Sequence, residues 1–348
     1  MDTDVLRIID VNLNRAREAL RVIEDYARFV LDDGDAATAV KRCRHELRAM
    51  IDALGPDALL AARDIVGDVG RDVKTTRELQ RTSTSDVTRA AFSRLSEAAR
   101  VLGEYGKIVS QPAAAAAESL RYQTYELEQR IALRGTLRRR FRETRLYVLL
   151  TESLCRHPWL ETAEAAIRGG ADCIQLREKQ LDGAELLRRA RQLRRLTRDH
   201  GVLFAMNDRP DIARLAQADI MHVGQDDLSV REVRRVAGSH ILVGKSTHTL
   251  EQLGAALDEQ PDYVAVGPMF QSGTKPQPHI AGPETLAAAR ARTELPLVAI
   301  GGICAENVGE IVAAGASCVA VCADVLGAED VEAATRNLRA AIDAGGSA

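Results

Sequence analysis

The segment CIQLREK, in the second half of the chain, alternates apolar with polar or charged side chains. Side chains on a strand point alternately to its two faces, so Ile174 and Leu176 share one face of a predicted strand. Gln175, Arg177 and Lys179 share the other face. If the apolar face packs against helices, an amide and two cations point into the fold, where cations are costly without a compensating anion. The segment therefore predicts an anion-binding strand end.

Polar side chains also follow the next apolar segments. Asn207 and Asp208 follow VLFAM, the segment GQDD (224–227) follows IMHV, and Ser246 follows ILVGK. One or two carboxylates, together with substrate phosphate groups, are the usual ligands of Mg²⁺ in such sites. We therefore predict one Mg²⁺ ion between these carboxylates and a pyrophosphate, whose outer oxygens the two cations hold. The alternative for Asp208 is a cap on the following helix.

A second anion site is predicted from glycines and helix starts near the end of the chain. Gly301 and Gly302 follow LPLVAI, and Cys322 and Ala323 begin a predicted helix after SCVAV. Backbone N–H groups at such positions bind phosphate monoesters. We expect the Gly- and Pro-rich loop 271–282 to close over the site as a lid. The hydroxyl side chains between the two anion sites are Ser246, Ser272 and Thr274.

Eight apolar segments, each followed by a helical stretch, must position these residues. Their even spacing predicts a TIM (β/α)8 barrel, in which chemistry takes place at the C-terminal ends of the strands. A doubly wound open sheet is the alternative. We place the barrel in residues 141–348, after an all-α domain in residues 1–140. The predicted strands are 145–151, 172–177, 202–208, 219–224, 240–246, 262–268, 295–302 and 317–323.

The first half of the chain contains an internal duplication. NRAREALRVIEDYARFV, which begins at Asn14, matches SRLSEAARVLGEYGKIV, which begins at Ser93, and RHEL (44–47) matches TYEL (124–127). Apolar residues recur at helical spacing in both copies, which predicts two helical hairpins packed as a pseudo-symmetric bundle. These residues are Leu13, Ala16, Leu20, Ile23, Ala27 and Val30 in the first copy, and Phe92, Leu95, Ala99, Leu102, Gly106 and Val109 in the second.

Three features of the first half have two interpretations each. The polar insert 62–76 is a connector, with a ligand or metal loop as the alternative. The stripe of Glu18, Arg21 and Asp25 makes surface ion pairs or lines a site at the pseudo-twofold axis. The Arg-rich segment 134–145 is a helix end and interdomain connector, with steering of phosphates as the alternative.

Composition excludes several classes of protein. Hydrophobic residues make up 46% of the chain, so a proper core can form, and the net charge of −3 argues against a nucleic-acid binder. We find no apolar run long enough to cross a membrane and no signal peptide, and the six cysteines show no metal-like pairing. We expect a cytoplasmic protein with small-molecule substrates. The sequence leaves a homo-oligomeric state open.

The second half resembles thiamine-phosphate synthase. The resemblance spans about 145–325, essentially the whole barrel. It rests on the segments LYVLLT, QLREK, MNDRPDIARLAQADIMHVGQDD, GKSTHT, VGPMFQSGTK and AIGGI. It implies a transferase that joins 4-amino-5-hydroxymethyl-2-methylpyrimidine diphosphate to 4-methyl-5-(2-phosphoethyl)thiazole, with release of pyrophosphate.

The resemblance also implies roles for individual residues. Asp208 and Asp227 hold Mg²⁺. The residues with implied catalytic roles are Lys179, Arg177, Ser246 and Lys275. The implied substrate-binding residues are Gln175, Leu176, Arg177, Glu178, Lys179, Asn207, Ser246, Ser272, Gly273, Thr274, Lys275, Gly302, Cys322 and Ala323. Three positions depart from the family pattern: Ser272 replaces a common Thr, Ala323 replaces a common Ser, and Lys245 adds a charge before Ser246.

Two alternatives to a synthase remain at this stage. One is a regulatory barrel that binds thiamine phosphates, and the other is a barrel similar to the thiazole tautomerase. Neither needs a pyrophosphate grip and two metal carboxylates, and this chain carries both. The first half resembles, through residues 13–33, the N-terminal domain of some thiamine-phosphate synthases, which implies a role in phosphorylating the pyrimidine. The chain contains no GxxxxGK[ST] motif, so an assembly module is an equal alternative.

Overall fold

The computed structural model describes residues 2–31, 33–65, 67–69, 80–271 and 280–345. The chain divides into two compact units, Met1–Gly135 and Thr136–Ala348. The boundary placed at residues 140 and 141 from the sequence lies within the last helix of the helical region, which ends at Arg142. Most of the Arg-rich segment is therefore helical, and the stretch between this helix and the first strand is short.

Helices make up the first part of the chain as far as the structure describes it. Helix α1 begins after Asp2, whose carboxylate accepts a hydrogen bond from the Asp4 N–H group. Ser83 caps α4 in the same way through the Asp86 N–H group. Such side-chain caps satisfy N–H groups that have no partner within the helix. The helices are α1 (Thr3–Phe29), α2 (Gly34–Leu54), α3 (Pro56–Ala61), α4 (Thr84–Val109) and α5 (Gln111–Arg142).

The duplicated hairpins form one helical core. The predicted apolar positions of α1 and α4 are buried in it, except at the helix ends. Val109 is half-buried, and the prediction for Val30 is wrong, because α1 ends at Phe29 and the Val30 side chain is 40% exposed. The thiol of Cys43 in α2 donates to the Gln123 side chain in α5 at 3.1 Å. These two residues hold equivalent positions in the two hairpins, so they meet as a pseudo-twofold arrangement requires.

Eight parallel strands form the closed barrel that the sequence predicts. They pair in chain order, and β1 pairs with β8 to close the barrel. A helix follows each strand along the chain, as β-α units require. The strands are β1 (Leu146–Leu150), β2 (Cys173–Leu176), β3 (Leu203–Asn207), β4 (Ile220–Val223), β5 (Leu242–Thr247), β6 (Tyr263–Val266), β7 (Leu297–Ile300) and β8 (Cys318–Val321).

The helices that follow the strands cover the outside of the barrel. A short 3₁₀ turn at Glu152–Leu154 precedes the first of them. The helices are α6 (Trp159–Arg168), α7 (Gly183–Asp199), α8 (Pro210–Ala216), α9 (Val230–Ala237), α10 (Leu250–Asp258), α11 (Gly282–Arg290), α12 (Val308–Ala313), α13 (Ala323–Leu326) and α14 (Val331–Gly345). Throughout the chain that the structure describes, no helix is long and apolar enough to cross a membrane.

Strand alternation produces two apolar layers in the barrel. Ile174 and Leu176 lie in the outer layer between strands and helices. The inner layer fills the barrel with small and aliphatic side chains and two tyrosines. Phe141 from the end of α5 packs against the Tyr263 ring, with 4.4 Å between ring centroids. The interior below the site is therefore a packed core that fixes the strand ends above it.

Candidate active site

Polar side chains predicted from the sequence meet at the C-terminal ends of β2 and β3. Gln175 faces the barrel interior and is buried, and its amide donates to the side-chain oxygen of Asn207 at 3.2 Å. Adjacent parallel strands place their carboxyl ends side by side, which explains why residues 32 positions apart touch. The hydrogen bond holds both amides in fixed orientations at the base of the site.

A cluster of one cation and two carboxylates lies above these amides. The ammonium nitrogen of Lys179 is 3.2 Å from a carboxylate oxygen of Asp208. The side chains of Asp208 and Asp227 are within hydrogen-bonding reach of each other. Burial and this hydrogen bond raise the pKa of Asp208, and Lys179 opposes the rise. Lys179 thus offsets part of the repulsion between two carboxylates that are held together.

Local backbone geometry aims both carboxylates at this point. Asp208 adopts a left-handed conformation, with φ of +58°, and its N–H group donates to the carbonyl of His222 at 3.0 Å. The Asp227 carboxylate accepts a hydrogen bond from the Gly224 N–H group at 2.7 Å. A non-glycine residue at positive φ is uncommon and is maintained only where its surroundings require it.

The donor set fits a Mg²⁺ ion. Mg²⁺ binds through one or two carboxylates and completes its octahedron with water and substrate phosphate oxygens. Asp208 and Asp227 supply two hard oxygen ligands, and a divalent cation between them would relieve the repulsion that raises the pKa of Asp208. No group of three or more His, Cys, Asp or Glu side chains with metal-binding geometry occurs among the described residues. Two carboxylates would leave room for water and substrate oxygens in the coordination sphere of such an ion.

Arg177 follows β2, and its guanidinium acts on Cys322 at the end of β8. Its backbone N–H group donates to the Leu150 carbonyl at 2.9 Å, and its own carbonyl accepts from the Thr151 hydroxyl at 2.9 Å. Burial raises the pKa of the Cys322 thiol to about 11, and the Arg177 guanidinium partly opposes this effect. Cys322 therefore stays a neutral thiol near neutral pH.

Ser246 belongs to a partly buried hydrogen-bond chain that the sequence did not reveal. Its hydroxyl is 2.8 Å from Nε2 of His222, and Nδ1 of that ring is 2.9 Å from the Tyr263 hydroxyl. The Tyr147 hydroxyl follows at 3.4 Å. Burial lowers the pKa of His222 to about 4, so the imidazole is neutral near pH 7. A neutral imidazole donates through one nitrogen and accepts through the other, which fixes the Ser246 hydroxyl.

One feature of the sequence is related to this hydrogen-bond chain: Tyr263 on β6 pairs with a glycine, Gly244, on the adjacent strand β5. A Cβ atom on Gly244 would lie 2.0 Å from Cζ of Tyr263. Because Gly244 on β5 has no side chain, the Tyr263 ring fits in the barrel interior. This relation depends on strand register, which the sequence does not state.

The glycine pair after β7 forms a turn that brings two backbones together. Gly301 and Gly302 have φ values of +103° and +66°. A Cβ atom on Gly302 would lie 2.6 Å from the carbonyl oxygen of Gln271, so no other residue fits there. The Gly302 carbonyl accepts a hydrogen bond from the Asn307 side chain at 2.9 Å. Cys322 and Ala323 stand at the start of the short α13 at the end of the adjacent β8.

Some predicted site residues do not point into this cluster. The Leu176 side chain is fully buried in the outer layer, so any contact with a substrate would be through its backbone. Glu178 accepts a hydrogen bond from the Glu152 N–H group at 2.6 Å and so holds the turn after β1. Lys245 is buried and pairs with Glu259 at 2.6 Å, so its charge is directed away from the site. Ser272, Gly273, Thr274 and Lys275 lie outside the described residues.

A closed barrel with anion-binding groups and paired carboxylates at its strand ends defines a phosphate-handling enzyme of the TIM-barrel class. Comparison with known proteins narrows this class. Residues 146–325 match the thiamine monophosphate synthase family, and residues 7–130 match the ThiD2 family.

Relatives of known name agree along nearly the whole chain. The thiamine-phosphate synthase of Thermosynechococcus vestitus is 40% identical over 335 residues, which cover 95% of this chain and 93% of the relative. That of Nostoc punctiforme is 39% identical, with 96% and 93% covered. The structure of thiamine phosphate pyrophosphorylase from Pyrococcus furiosus aligns with a TM-score of 0.55 and 32% identity, covering 60% of this chain and 98% of that one. The chain therefore belongs to the thiamine-phosphate synthase family and is a transferase of thiamine biosynthesis.

Proposed function

We propose that the barrel, in residues 141–348, joins 4-amino-5-hydroxymethyl-2-methylpyrimidine diphosphate to 4-methyl-5-(2-phosphoethyl)thiazole. Gln175, Arg177 and Lys179 bind the pyrophosphate of this substrate, and Asn207 contacts it as well. The observation that carries the proposal is the cluster of Lys179 with two carboxylates that approach each other. A metal ion bound by the two carboxylates and a pyrophosphate bound by the metal and Lys179 would balance these charges.

Asp208 and Asp227 would hold Mg²⁺ in this site. When bound, the ion offsets the negative charge that builds up on the departing pyrophosphate. The chain's own cations act in the same direction. As the bond between the pyrimidine methylene carbon and the diphosphate oxygen breaks, that carbon becomes cationic and Lys179 and Arg177 stabilise the leaving anion.

The second substrate needs positioning more than acid–base help. The thiazole nitrogen carries a lone pair and attacks the methylene carbon to form the new C–N bond, and pyrophosphate leaves with the bonding electrons of the C–O bond. Neither step transfers a proton. The neutral His222 fixes the hydroxyl of Ser246, which we place against the pyrimidine diphosphate. Backbone N–H groups at Gly302, Cys322 and Ala323 bind the thiazole phosphate. Ser272, Gly273, Thr274 and Lys275 complete the contacts in our proposal.

Substitution of Asp227 by Asn tests this assignment with little change in shape. The variant should keep its fold, because an amide oxygen can still accept the Gly224 hydrogen bond. We expect thiamine phosphate formation to fall by at least about a hundredfold, as for lost charge-stabilising groups in other enzymes. Asp211→Asn is the matched control, because Asp211 lies in α8 and pairs with Arg209 outside the site. An Asp227→Asn variant with parental turnover would reject the metal assignment, whereas absence of product from the parent itself would leave a ligand-binding barrel as the better interpretation.

For the helical domain, residues 1–140, we propose phosphorylation of the pyrimidine with ATP as phosphoryl donor. The match of residues 7–130 to a separate family supports a separate function. The test supplies full-length protein with thiazole phosphate, Mg²⁺ and ATP, and with the pyrimidine either unphosphorylated or as its monophosphate. A further sample contains the pyrimidine diphosphate. Thiamine phosphate formed in that sample alone would reject the kinase and favour an assembly role.

The cysteines agree with a cytoplasmic location, which we also propose. All six are free thiols in the structure. Free thiols, three of them buried, are what a reducing compartment maintains.

A further inference from the structure

A basic groove lies within the helical unit, between α1 and α2. Its volume is about 270 Å³, and five of its seven lining residues are basic while none is acidic. The other two are apolar and form part of its wall. We call this feature the α1–α2 groove, and its basic residues are Arg17, Lys41, Arg44, His45 and Arg48.

The four basic residues of α2 recur at helical spacing. Lys41, Arg44, His45 and Arg48 are at positions i, i+3, i+4 and i+7, so they share one face of the helix. Arg17 of α1 faces them across the groove. Like charges at these spacings repel one another and destabilise a helix unless anions offset them.

Carboxylates of the chain offset only part of this charge. Arg44 is hydrogen-bonded to the buried Glu24, and Arg48 pairs with Asp52 at 3.0 Å. The described contact of Arg17 is with the neutral side chain of Asn14, at 2.8 Å. Among the described residues, no carboxylate pairs within 4.0 Å with the cationic groups of Arg17 or Lys41 or with the ring nitrogens of His45. The groove therefore retains positive charge that an external anion can neutralise.

The duplication provides an internal comparison. The equivalent positions of the second hairpin hold Ser96, Arg121, Thr124, Tyr125 and Glu128, so one cation remains and one acid appears. The apolar positions are kept, since Leu47 corresponds to the buried Leu127 and Ile51 to the buried Ile131. The hairpin fold thus requires the apolar residues and does not require the cations.

We propose that the α1–α2 groove binds a small phosphorylated ligand through its phosphate groups. Arg side chains contact phosphate oxygens in pairs, and Lys adds a mobile point charge. The proposal rests on the proposed kinase role of the helical domain, which needs a nucleoside triphosphate and a phosphorylated pyrimidine. Both present the phosphate chemistry that the groove offers, and titration with each distinguishes them.

The test measures binding to full-length protein by calorimetry. The titrants are ATP, inorganic triphosphate, the pyrimidine monophosphate and inorganic phosphate. The variant combines Arg17→Ser, the residue of the second hairpin, with Lys41→Ala. The matched control combines Arg94→Ser with Lys107→Ala, which removes two exposed charges from α4. Circular dichroism checks that both variants unfold at the parental temperature.

We expect at least one titrant to bind the parent and to bind the groove variant at least about tenfold more weakly, while the control stays within about twofold. Equal effects on ATP and inorganic triphosphate would identify the nucleotide phosphate chain as the ligand group. A groove-dependent effect on the pyrimidine monophosphate alone would identify the phosphoryl acceptor. Unchanged affinities in the groove variant, equal losses in the control, or no binding by any titrant would overturn the proposal.

Turnover separates this proposal from the kinase itself. Groove-dependent binding without ATP-dependent product would reject the kinase and keep the groove. ATP-dependent product with parental KM values in the groove variant would keep the kinase and reject the groove.

Discussion

Replacing Lys179 by Ala should separate catalysis from stability. The Lys179 side chain is 55% exposed, and it pairs with Asp208 at 3.2 Å. Ion pairs as exposed as this one contribute about 0–1 kcal/mol, because water screens the charges and ordering the side chain costs entropy. We therefore expect the free energy of unfolding to fall by less than about 1 kcal/mol.

The catalytic effect should be much larger. A charge-assisted hydrogen bond to a phosphate oxygen contributes about 1.5–3 kcal/mol. Since about 1.4 kcal/mol corresponds to a factor of ten, kcat/KM should fall roughly 10- to 140-fold. Charge on the pyrophosphate grows as it leaves, so most of the loss should be in kcat, with a smaller change in KM.

The assay measures initial rates of thiamine phosphate formation with Mg²⁺, saturating thiazole phosphate and varied pyrimidine diphosphate. Urea unfolding gives the stability of the same preparations. Lys107→Ala is the matched control, because it removes a comparable exposed pair, with Glu104 at 2.9 Å, outside the barrel. A Lys179→Ala enzyme with parental kcat/KM would refute the assignment. So would a loss of stability large enough to explain the lost activity.

Three further predictions concern buried groups. Asp33 caps α2 and pairs with Arg130 and the buried Arg134. Burial alone would raise the pKa of Asp33. The two guanidinium groups outweigh burial and hold that pKa below 3.8. Asp33→Asn should therefore destabilise the protein by about 3–5 kcal/mol at pH 7. Stability from this carboxylate is present above its unfolded pKa and is lost as pH falls through the lower folded value, so urea unfolding below about pH 4 should show a smaller difference. Gly244→Ala should cost at least about 1–3 kcal/mol through overpacking against Tyr263; an equal cost in a Tyr263→Ala background would contradict the packing argument. His222→Phe should lower kcat about 2- to 12-fold, the value of one net hydrogen bond to Ser246. Because burial lowers the pKa of His222 to about 4, titration of this imidazole should not change kcat of the parent between pH 6 and 8. A change of kcat in this range that disappears in His222→Phe would contradict a neutral imidazole.

The barrel was predictable because each of its strands has a distinct local signal. CIQL and the other apolar segments are short, β-branched or aliphatic, and separated by capped amphipathic helices. Ser229 and Glu232 form a capping box at the start of α9, and a Ser followed three residues later by a Glu is a local signal of this kind. The seam of the helical hairpins was predictable for the same reason, and it failed at Val30, where periodicity continues for one residue beyond the helix.

The contacts within the site depend on register, and local patterns do not contain it. Strand alternation places the Gln175 side chain on the inner face and the Lys245 side chain on the outer face. It does not show that Asn207 is the hydrogen-bond partner of Gln175. The chain from Ser246 to Tyr263 through His222 joins three different strands. His222 and Tyr263 each look like an ordinary core or surface residue in the sequence. The pairing of β4 with β5 and of β5 with β6 brings them together.

Formation of thiamine phosphate by the purified full-length protein tests the central claim most directly. The reaction contains pyrimidine diphosphate and thiazole phosphate, with Mg²⁺ in one sample and excess chelator in the other. We predict thiamine phosphate and pyrophosphate in equal amounts with Mg²⁺, and loss of both products with chelator and in the Asp227→Asn variant. Absence of product from the parent with Mg²⁺, or full activity in Asp227→Asn, would contradict the proposed mechanism.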